Sequence, residues 1–221
     1  MTTVWLHGAG LSGATWAGFG GLAPDLPGHG AARRSAAPTV EAFADALTPA
    51  LPERMHLVGH SLGGMVALEL AARLKTRVRS LVTVEAVPTV HRNHLTTFAA
   101  RAAMALVRLI GPKGVVRLSG LGQPKAIARH IRPQLAAMSA AGMADSLTAA
   151  FGYDARPRLA QITAPALVIV GRNNPRTHGG ARLIARALNA PFEVMEGGHI
   201  LHVETPEALR TRIARFQADH P

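Results

Sequence analysis

The segment Gly59-His60-Ser61-Leu62-Gly63 constrains this chain more than any other. It stands between an apolar run ending in Leu57-Val58 and a helical pattern over 62–74, where Met65, Val66, Leu68, Leu70 and Ala71 make a broad apolar face. A strand over 55–58 and that helix must join through a sharp turn. The serine on such a turn occupies a strained backbone position, and glycines two residues to either side let strand and helix approach closely. Its Oγ then projects above the sheet beside a helix N-terminus, which marks Ser61 as a candidate nucleophile.

The rest of the chain repeats the strand-then-helix pattern. Strands are expected at 3–7, 78–84, 166–170 and 192–195. A helix over 40–51 has Thr39 as N-cap and Pro52 as stop, another lies near 182–188, and a last one follows Thr205-Pro206. Short apolar strands alternating with helices predict an α/β fold, a mostly parallel sheet flanked by helices. Residues 8–21 hold too many glycines for a regular helix, and a short extended piece is expected to run into Pro24-Asp25. Over 86–157 the pattern changes to helical segments broken by Gly and Pro, with 115–116 alone resembling a strand. The expected organisation is a core of 1–85 and 158–221 carrying a helical cap insertion over 86–157. At 221 residues and 48% hydrophobic composition the chain is long enough for one sizeable core.

A nucleophilic serine needs a base, and His199 follows Gly197-Gly198 in the loop after the last strand. His202 is the nearest rival, presented by the same turn. The other histidines have plainer readings: His56 within a strand, His60 as the variable residue of the turn, His91 and His94 three apart on a helix, and His130, His178 and His220 in solvent. The developing oxyanion needs two backbone donors. Leu62 supplies one by position, and Ala9 in His7-Gly8-Ala9-Gly10 the other. Gly8-Ala9-Gly10-Leu11-Ser12-Gly13 also matches a dinucleotide fingerprint, but that motif requires its last glycine to open a crossover helix. Gly18, Gly20, Gly21 and Pro24 oppose one.

These segments, with Asp25-Leu26-Pro27-Gly28-His29-Gly30, residues 165–171 and Gly198-His199, follow one another in an order that resembles the α/β-hydrolase fold over nearly the whole chain. The resemblance implies Ser61 as nucleophile, His199 as base, the amides of Ala9 and Leu62 as oxyanion hole, and 86–157 as a cap over the site. It implies neither cofactor nor metal. It excludes relatives that place an aspartate where Ser61 stands. Two departures stand out. Two N-terminal strands common in the family have no counterpart before the first expected strand, and a reduced version of the fold is expected. After the strand ending at Gly171 the family typically reads Gly-x-x-Asp, whereas here the sequence is Gly171-Arg172-Asn173-Asn174. The amide of Asn174 carries no charge to stabilise an imidazolium. Glu85, at the C-terminal end of the strand after the nucleophile helix, is the candidate acid, since some lipases of the family place theirs there; Glu204 is a more distant one.

The function so implied is hydrolysis of a carboxylic ester or thioester through an acyl-enzyme. Two readings stand beside it: a lyase or cyclase using Ser61 and His199 for proton transfer, which the amide at 174 favours, and a non-catalytic binding protein. Charge bears on the partner. The formal net charge is +11, and 86–157 holds nine basic residues against Asp145 and Asp154, a net +7. That concentration suggests an acidic small molecule or an acidic acyl carrier protein. Nucleic acid is not expected, because aromatics are only 4% and no recognition motif is present. With no membrane span, no basic leader at the N-terminus and zero cysteines, the expected location is the cytoplasm.

Overall fold

A strand buried on both faces favours apolar residues along its length, and Ala166–Gly171 is buried at every position. The computed structural model describes residues 1–90 and 125–221, together with 105, 106, 110, 111 and 114. Its sheet is built from β1 (Thr2–Leu6), β2 (Met55–His60), β3 (Val78–Val84), β4 (Ala166–Gly171) and β5 (Phe192–Met195), all parallel and in sequential order. The helices are α1 (Val40–Leu47), α2 (Leu62–Leu74), α3 (Lys125–Ala137), α4 (Ala140–Gly152), α5 (Arg156–Leu159), α6 (Pro175–Ala187), α7 (Leu201–Glu204) and α8 (Pro206–Ala218).

Right-handed crossovers between strands taken in order put α1, α2 and α6 on one face. The core divides accordingly. Val4, Leu57, Leu81 and Val168 pack with Phe43 of α1, Val66 and Leu70 of α2 and Ile184 of α6. Their alternating neighbours Trp5, Val58, Val82 and Ile169 pack on the other face with Trp16 and with Leu209, Ile213 and Phe216 of α8. Both sets are 6% exposed or less, so the period of two sorts one strand sequence into two cores.

The limits of α2 and β3 match the sequence expectation, and Thr39 caps α1 by accepting from the Ala42 amide at 3.1 Å. Four local expectations need correction. Helix α1 ends at Leu47 and passes into a 3-10 turn, Thr48–Ala50. Strand β2 continues to His60, directly into the turn at Ser61. Helix α6 starts at Pro175, not near 182; Gly179 and Gly180 obscured its pattern, yet Gly180 is what admits Val87, whose Cγ1 would lie 2.6 Å from an added Cβ. The extended piece before Pro24 shrinks to a single parallel bridge from Leu22 to Val4, because Gly20 and Gly21 turn the chain at φ 74° and 84°.

The expected strand at 115–116 and the pair His91 and His94 lie outside the described residues. Within 125–159 the chain is largely helical. The two ends of 86–157 meet: Thr89 bridges Asp154, and the Ala155 amide donates to the Pro88 carbonyl at 2.8 Å. Among the described residues no helix is long and apolar enough to cross a membrane.

Candidate active site

Each of the five strands delivers one part of a single site at its C-terminal end. Ala9 follows β1, Ser61 follows β2, Glu85 follows β3, Asn174 follows β4 and His199 follows β5. Ligand sites form at this edge in parallel sheets because the connections to the helices open there.

Ser61 has φ 52° and ψ −117°, in a region costly for a residue with a Cβ. The conformation is held by its surroundings. The Ser61 amide donates to the Val84 carbonyl at 2.9 Å, and the Ser61 carbonyl accepts from Gly64 at 2.9 Å and Met65 at 3.2 Å. The turn closes because the flanking glycines touch: a Cβ on Gly59 would stand 2.3 Å from the Gly63 carbonyl oxygen, and one on Gly63 would stand 2.4 Å from that of Leu6. Leu62 opens α2, where an amide has no intrahelical acceptor and is free to face a substrate oxygen. Gly8 abuts the serine, since an added Cβ would lie 3.2 Å from Ser61 Cβ.

Glu85 also has a positive φ, 55°, and its side chain is fully buried. Four donors converge on it. The Gly171 amide donates to Oε1; Asn174 Nδ2 donates to Oε2 at 2.6 Å, Thr177 Oγ1 at 2.7 Å, and His199 Nδ1 lies 3.2 Å from the same oxygen. Burial alone would raise the carboxyl pKa. The hydrogen bonds from His199, Gly171 and Thr177, with the attraction of the imidazole, outweigh it and hold Glu85 below the usual carboxylate range. An ionised Glu85 fixes the tautomer of His199: Asn174 offers only N–H toward Nδ1, at 3.1 Å, so the Nδ1 proton points to the carboxylate and Nε2 keeps its lone pair.

A cavity of about 90 Å³ unites these parts. Ser61, His199 and Ala9 line it with Leu11, Ile131, Leu135 and Ile200. Ile131 and Leu135 belong to α3, which is docked on the loop after β1 by Gln134, whose Oε1 accepts from the Ser12 amide at 2.8 Å and the Ser12 hydroxyl at 2.9 Å. The cavity wall is therefore apolar apart from the serine, the histidines and the backbone.

Several residues play parts the sequence did not suggest. His60 is buried, and its Nε2 donates to the His199 carbonyl at 2.8 Å, steadying the backbone of the histidine loop. Burial, with His202 and His199 beside it, pushes its pKa well below the ordinary value, so it stays neutral. Thr177 lies one helical turn after Asn174, the only sequence signal it gives. His202 does not line the cavity: it is buried against Trp16, bonded to Thr15 Oγ1 at 2.8 Å and lowered by burial to about 3. Glu204 instead braces the histidine loop, accepting from Gly198 at 2.8 Å and Ile200 at 3.1 Å. His130, His178 and His220, expected in solvent, bond Thr15 Oγ1, the Gly171 carbonyl and the Phe216 carbonyl. Of the basic residues in 86–157, Lys125, Arg129 and Arg132 are exposed on α3 and Arg156 pairs with Asp154 at 2.6 Å. Arg92, Arg101, Arg108, Lys113 and Arg117 lie outside the described residues.

Comparison with known proteins agrees with this architecture. Residues 3–212 match the model of the alpha/beta hydrolase family. The pimeloyl-[acyl-carrier protein] methyl ester esterase of Nitrosomonas europaea is 30% identical over 203 residues, covering 80% of this chain and 79% of that one. The protein of the same description from Neisseria meningitidis serogroup A is 32% identical over 235 residues, covering 90% of this chain and 69% of that one. Among solved structures, MenH from S. aureus superposes with a TM-score of 0.86 at 23% identity, covering 100% of this chain and 94% of the other. From the match of the family model over nearly its whole length, the chain belongs to the alpha/beta hydrolase family.

Proposed function

We propose that this hydrolase cleaves a carboxylic ester by way of an acyl-enzyme on Ser61, with His199 as general base and Glu85 as its acid. The observation that carries the reading is the convergence of a serine on a strained turn and a histidine on one cavity, the histidine's far nitrogen set against a buried, ionised carboxylate. Ser61 Oγ attacks the ester carbonyl carbon as its proton passes to His199 Nε2, and the amides of Ala9 and Leu62 receive the charge gathering on the carbonyl oxygen. The carbon–alkoxide bond breaks and the alkoxide leaves with the proton from His199. Water then gives a proton to His199 and its oxygen to the acyl carbon, and the proton returns to Ser61 as the acid departs. Glu85 holds the imidazolium through both halves without taking its proton. The cap of this reading includes α3, which walls the cavity through Ile131 and Leu135.

The substrate class follows from the relatives and from charge. Both esterases above are named for an ester on an acyl carrier protein, and exposed Lys125, Arg129 and Arg132 stand on the helix that supplies Ile131 and Leu135 to the cavity. A carrier-bound ester, its acidic carrier resting on α3, fits both, and the cytoplasmic location belongs to the same proposal. The lyase reading loses its motive, since it rested on an uncharged residue behind His199 and Glu85 now stands there.

Intact mass after treatment with a fluorophosphonate tests the chemistry. One adduct is expected on the parent and none on Ser61→Ala; an unlabelled, folded parent refutes the acyl-enzyme. For the carrier, kcat/KM on a carrier-bound methyl ester is expected to fall with added salt and with Arg129→Glu plus Arg132→Glu, while a free methyl ester responds to neither.

A further inference from the structure

The loop after β1 carries Ala9, and two sides of the molecule hold it. A turn over residues 8–11 is closed by the Leu11 amide, which donates to the Gly8 carbonyl at 3.2 Å, with Gly10 at φ 80°, a conformation glycine takes without strain. Ala9 is the second residue of that turn, so the direction of its N–H follows from how the turn is held. On the core side the Gly13 amide donates to Asp25 Oδ1 at 2.7 Å. On the other side stands α3. Leu135 is pressed onto the turn, its Cδ2 2.5 Å from where a Cβ on Gly10 would lie. Gln134 Oε1 accepts from both the Ser12 amide, at 2.8 Å, and the Ser12 hydroxyl, at 2.9 Å. The NH2 of the same carboxamide donates to the His130 carbonyl of its own helix at 3.1 Å, so every part of the group is committed. Ser12 is the N-cap residue of the 3-10 turn Gly13–Trp16, where a hydroxyl ordinarily accepts from the first turn, yet it makes no such bond and donates to Gln134 instead. Its orientation answers to α3.

We propose that Gln134 is a positioning residue for the oxyanion hole: through it α3 fixes the loop that aims the Ala9 amide, besides walling the cavity. The inference rests on the reading of Ala9 given above. An oxyanion donor acts only where its N–H meets the oxygen of the transition state, and a small displacement weakens it. Strand β1 sets the near end of the loop. One carboxamide oxygen holding two donors of residue 12 sets the far end, three residues from Ala9. Without that acceptor the Ser12 amide and hydroxyl lose their partner and the turn is free to shift. Helix α3 itself stays docked, because His130 still bonds Thr15 Oγ1 at 2.8 Å. The apolar wall of Leu11, Ile131, Leu135 and Ile200 still receives the substrate, so the loss falls on the transition state and not on binding.

The test compares the parent with Gln134→Met, which keeps the side chain's length and removes the acceptor. Its control is Arg34→Met, which removes the 2.6 Å ion pair that ties Asp145 of α4 to residue 34 and not to the loop after β1. The readouts are kcat and KM on p-nitrophenyl acetate, the rate of labelling by a fluorophosphonate, and circular dichroism for folding. Gln134→Met is expected to lower kcat and kcat/KM together by about 10-fold, with KM near the parent's and labelling slowed by a similar factor. That is less than the roughly 10²- to 10³-fold cost of removing an oxyanion donor, because the donor is misaimed and not lost. Arg34→Met is expected to match the parent. A folded Gln134→Met with the parent's kcat and labelling rate overturns the proposal. An equal fall in Arg34→Met overturns it too, since the effect would then belong to docking of the helices, and so does a raised KM at unchanged kcat, which would place Gln134 in substrate binding. Gln134→Ala carries the same expectations if Gln134→Met does not fold. A folded parent that takes no label strikes the acyl-enzyme reading, a failure distinct from all of these.

Discussion

Glu85 and Glu69 both have fully buried carboxylates, and the company each keeps is opposite. Glu69, in α2, is set against cations: Arg73 Nε at 2.5 Å and Arg158 Nε at 3.5 Å, with the Tyr153 hydroxyl donating at 2.8 Å. Glu85, at the sheet edge, receives neutral donors and a single imidazole. Burying a carboxylate costs several kcal/mol unless partners compensate it. Two guanidiniums cancel the charge of Glu69, and the result is a staple that holds Tyr153 and Arg158 of the returning segment onto α2. Neutral donors stabilise the charge of Glu85 without cancelling it, so its field remains available to the one titratable group it faces. A buried charge is structural or chemical according to whether its partners are charged.

That contrast can be broken by exchanging each glutamate for glutamine. Glu85→Gln should remove about 10⁴-fold of turnover, whereas Glu69→Gln should leave the turnover of folded protein near the parent's and lower stability by about 2–3 kcal/mol, less than for a wholly buried pair because both arginines reach water. Urea midpoints beside kcat for both variants check it, and equal effects on either quantity would erase the distinction. A smaller effect sharpens the role of neutral donors. His60→Phe removes the donor to the His199 carbonyl and should lower kcat by roughly 10- to 100-fold with KM little changed, read by steady-state kinetics. Turnover at the parent's level would show that the loop holds itself.

Acid should separate the buried histidines from the carboxylates. Burial, with His29 nearby, lowers His7 to about 3, and burial, with His130 nearby, lowers His202 to about 3, against an ordinary 6.5. As pH falls below 6.5 the unfolded chain takes up protons that the folded one refuses, so stability present above 6.5 is lost progressively toward pH 3. The slope should be about 1.4 kcal/mol per pH unit for each such imidazole. Glu85, depressed in the fold, adds its own loss only below the usual carboxylate range near 4.5. Urea titrations at pH 8, 7, 6 and 5 should show the decline starting between 7 and 6; a flat profile down to pH 5 would contradict it. The smallest effect concerns the staple: Tyr153→Phe should cost about 1–2 kcal/mol in stability and nothing in kcat, measured by the same titration.

Most of the fold was legible because its signals are local. The apolar run over 166–170 and the Val- and Leu-bearing segment over 78–84 read as strands, and the turn at Ser61 is written in glycines two residues to either side, which the close approach of Gly59 to Gly63 requires. Helix α6 was partly hidden because Gly180, which admits Val87, weakens its own pattern together with Gly179. At the site, Ser61, His199 and Ala9 were legible for the same reason, each lying in a short motif beside a strand end. The parts of His60, Thr177 and Glu204 were not, since each acts through a hydrogen bond to a distant segment that spacing does not record.

By itself the sequence determined the architecture and marked Ser61 as the candidate nucleophile, because a period of two, a helical face and a glycine-framed serine are properties of neighbouring residues. Only the tertiary structure decided which carboxylate stands behind His199 and which partners Asn174 takes. Residues 85, 174 and 199 share no sequence neighbourhood, and an acid is defined by the nitrogen it reaches and the charge left on it after burial, both of which exist only once β3, β4 and β5 lie side by side.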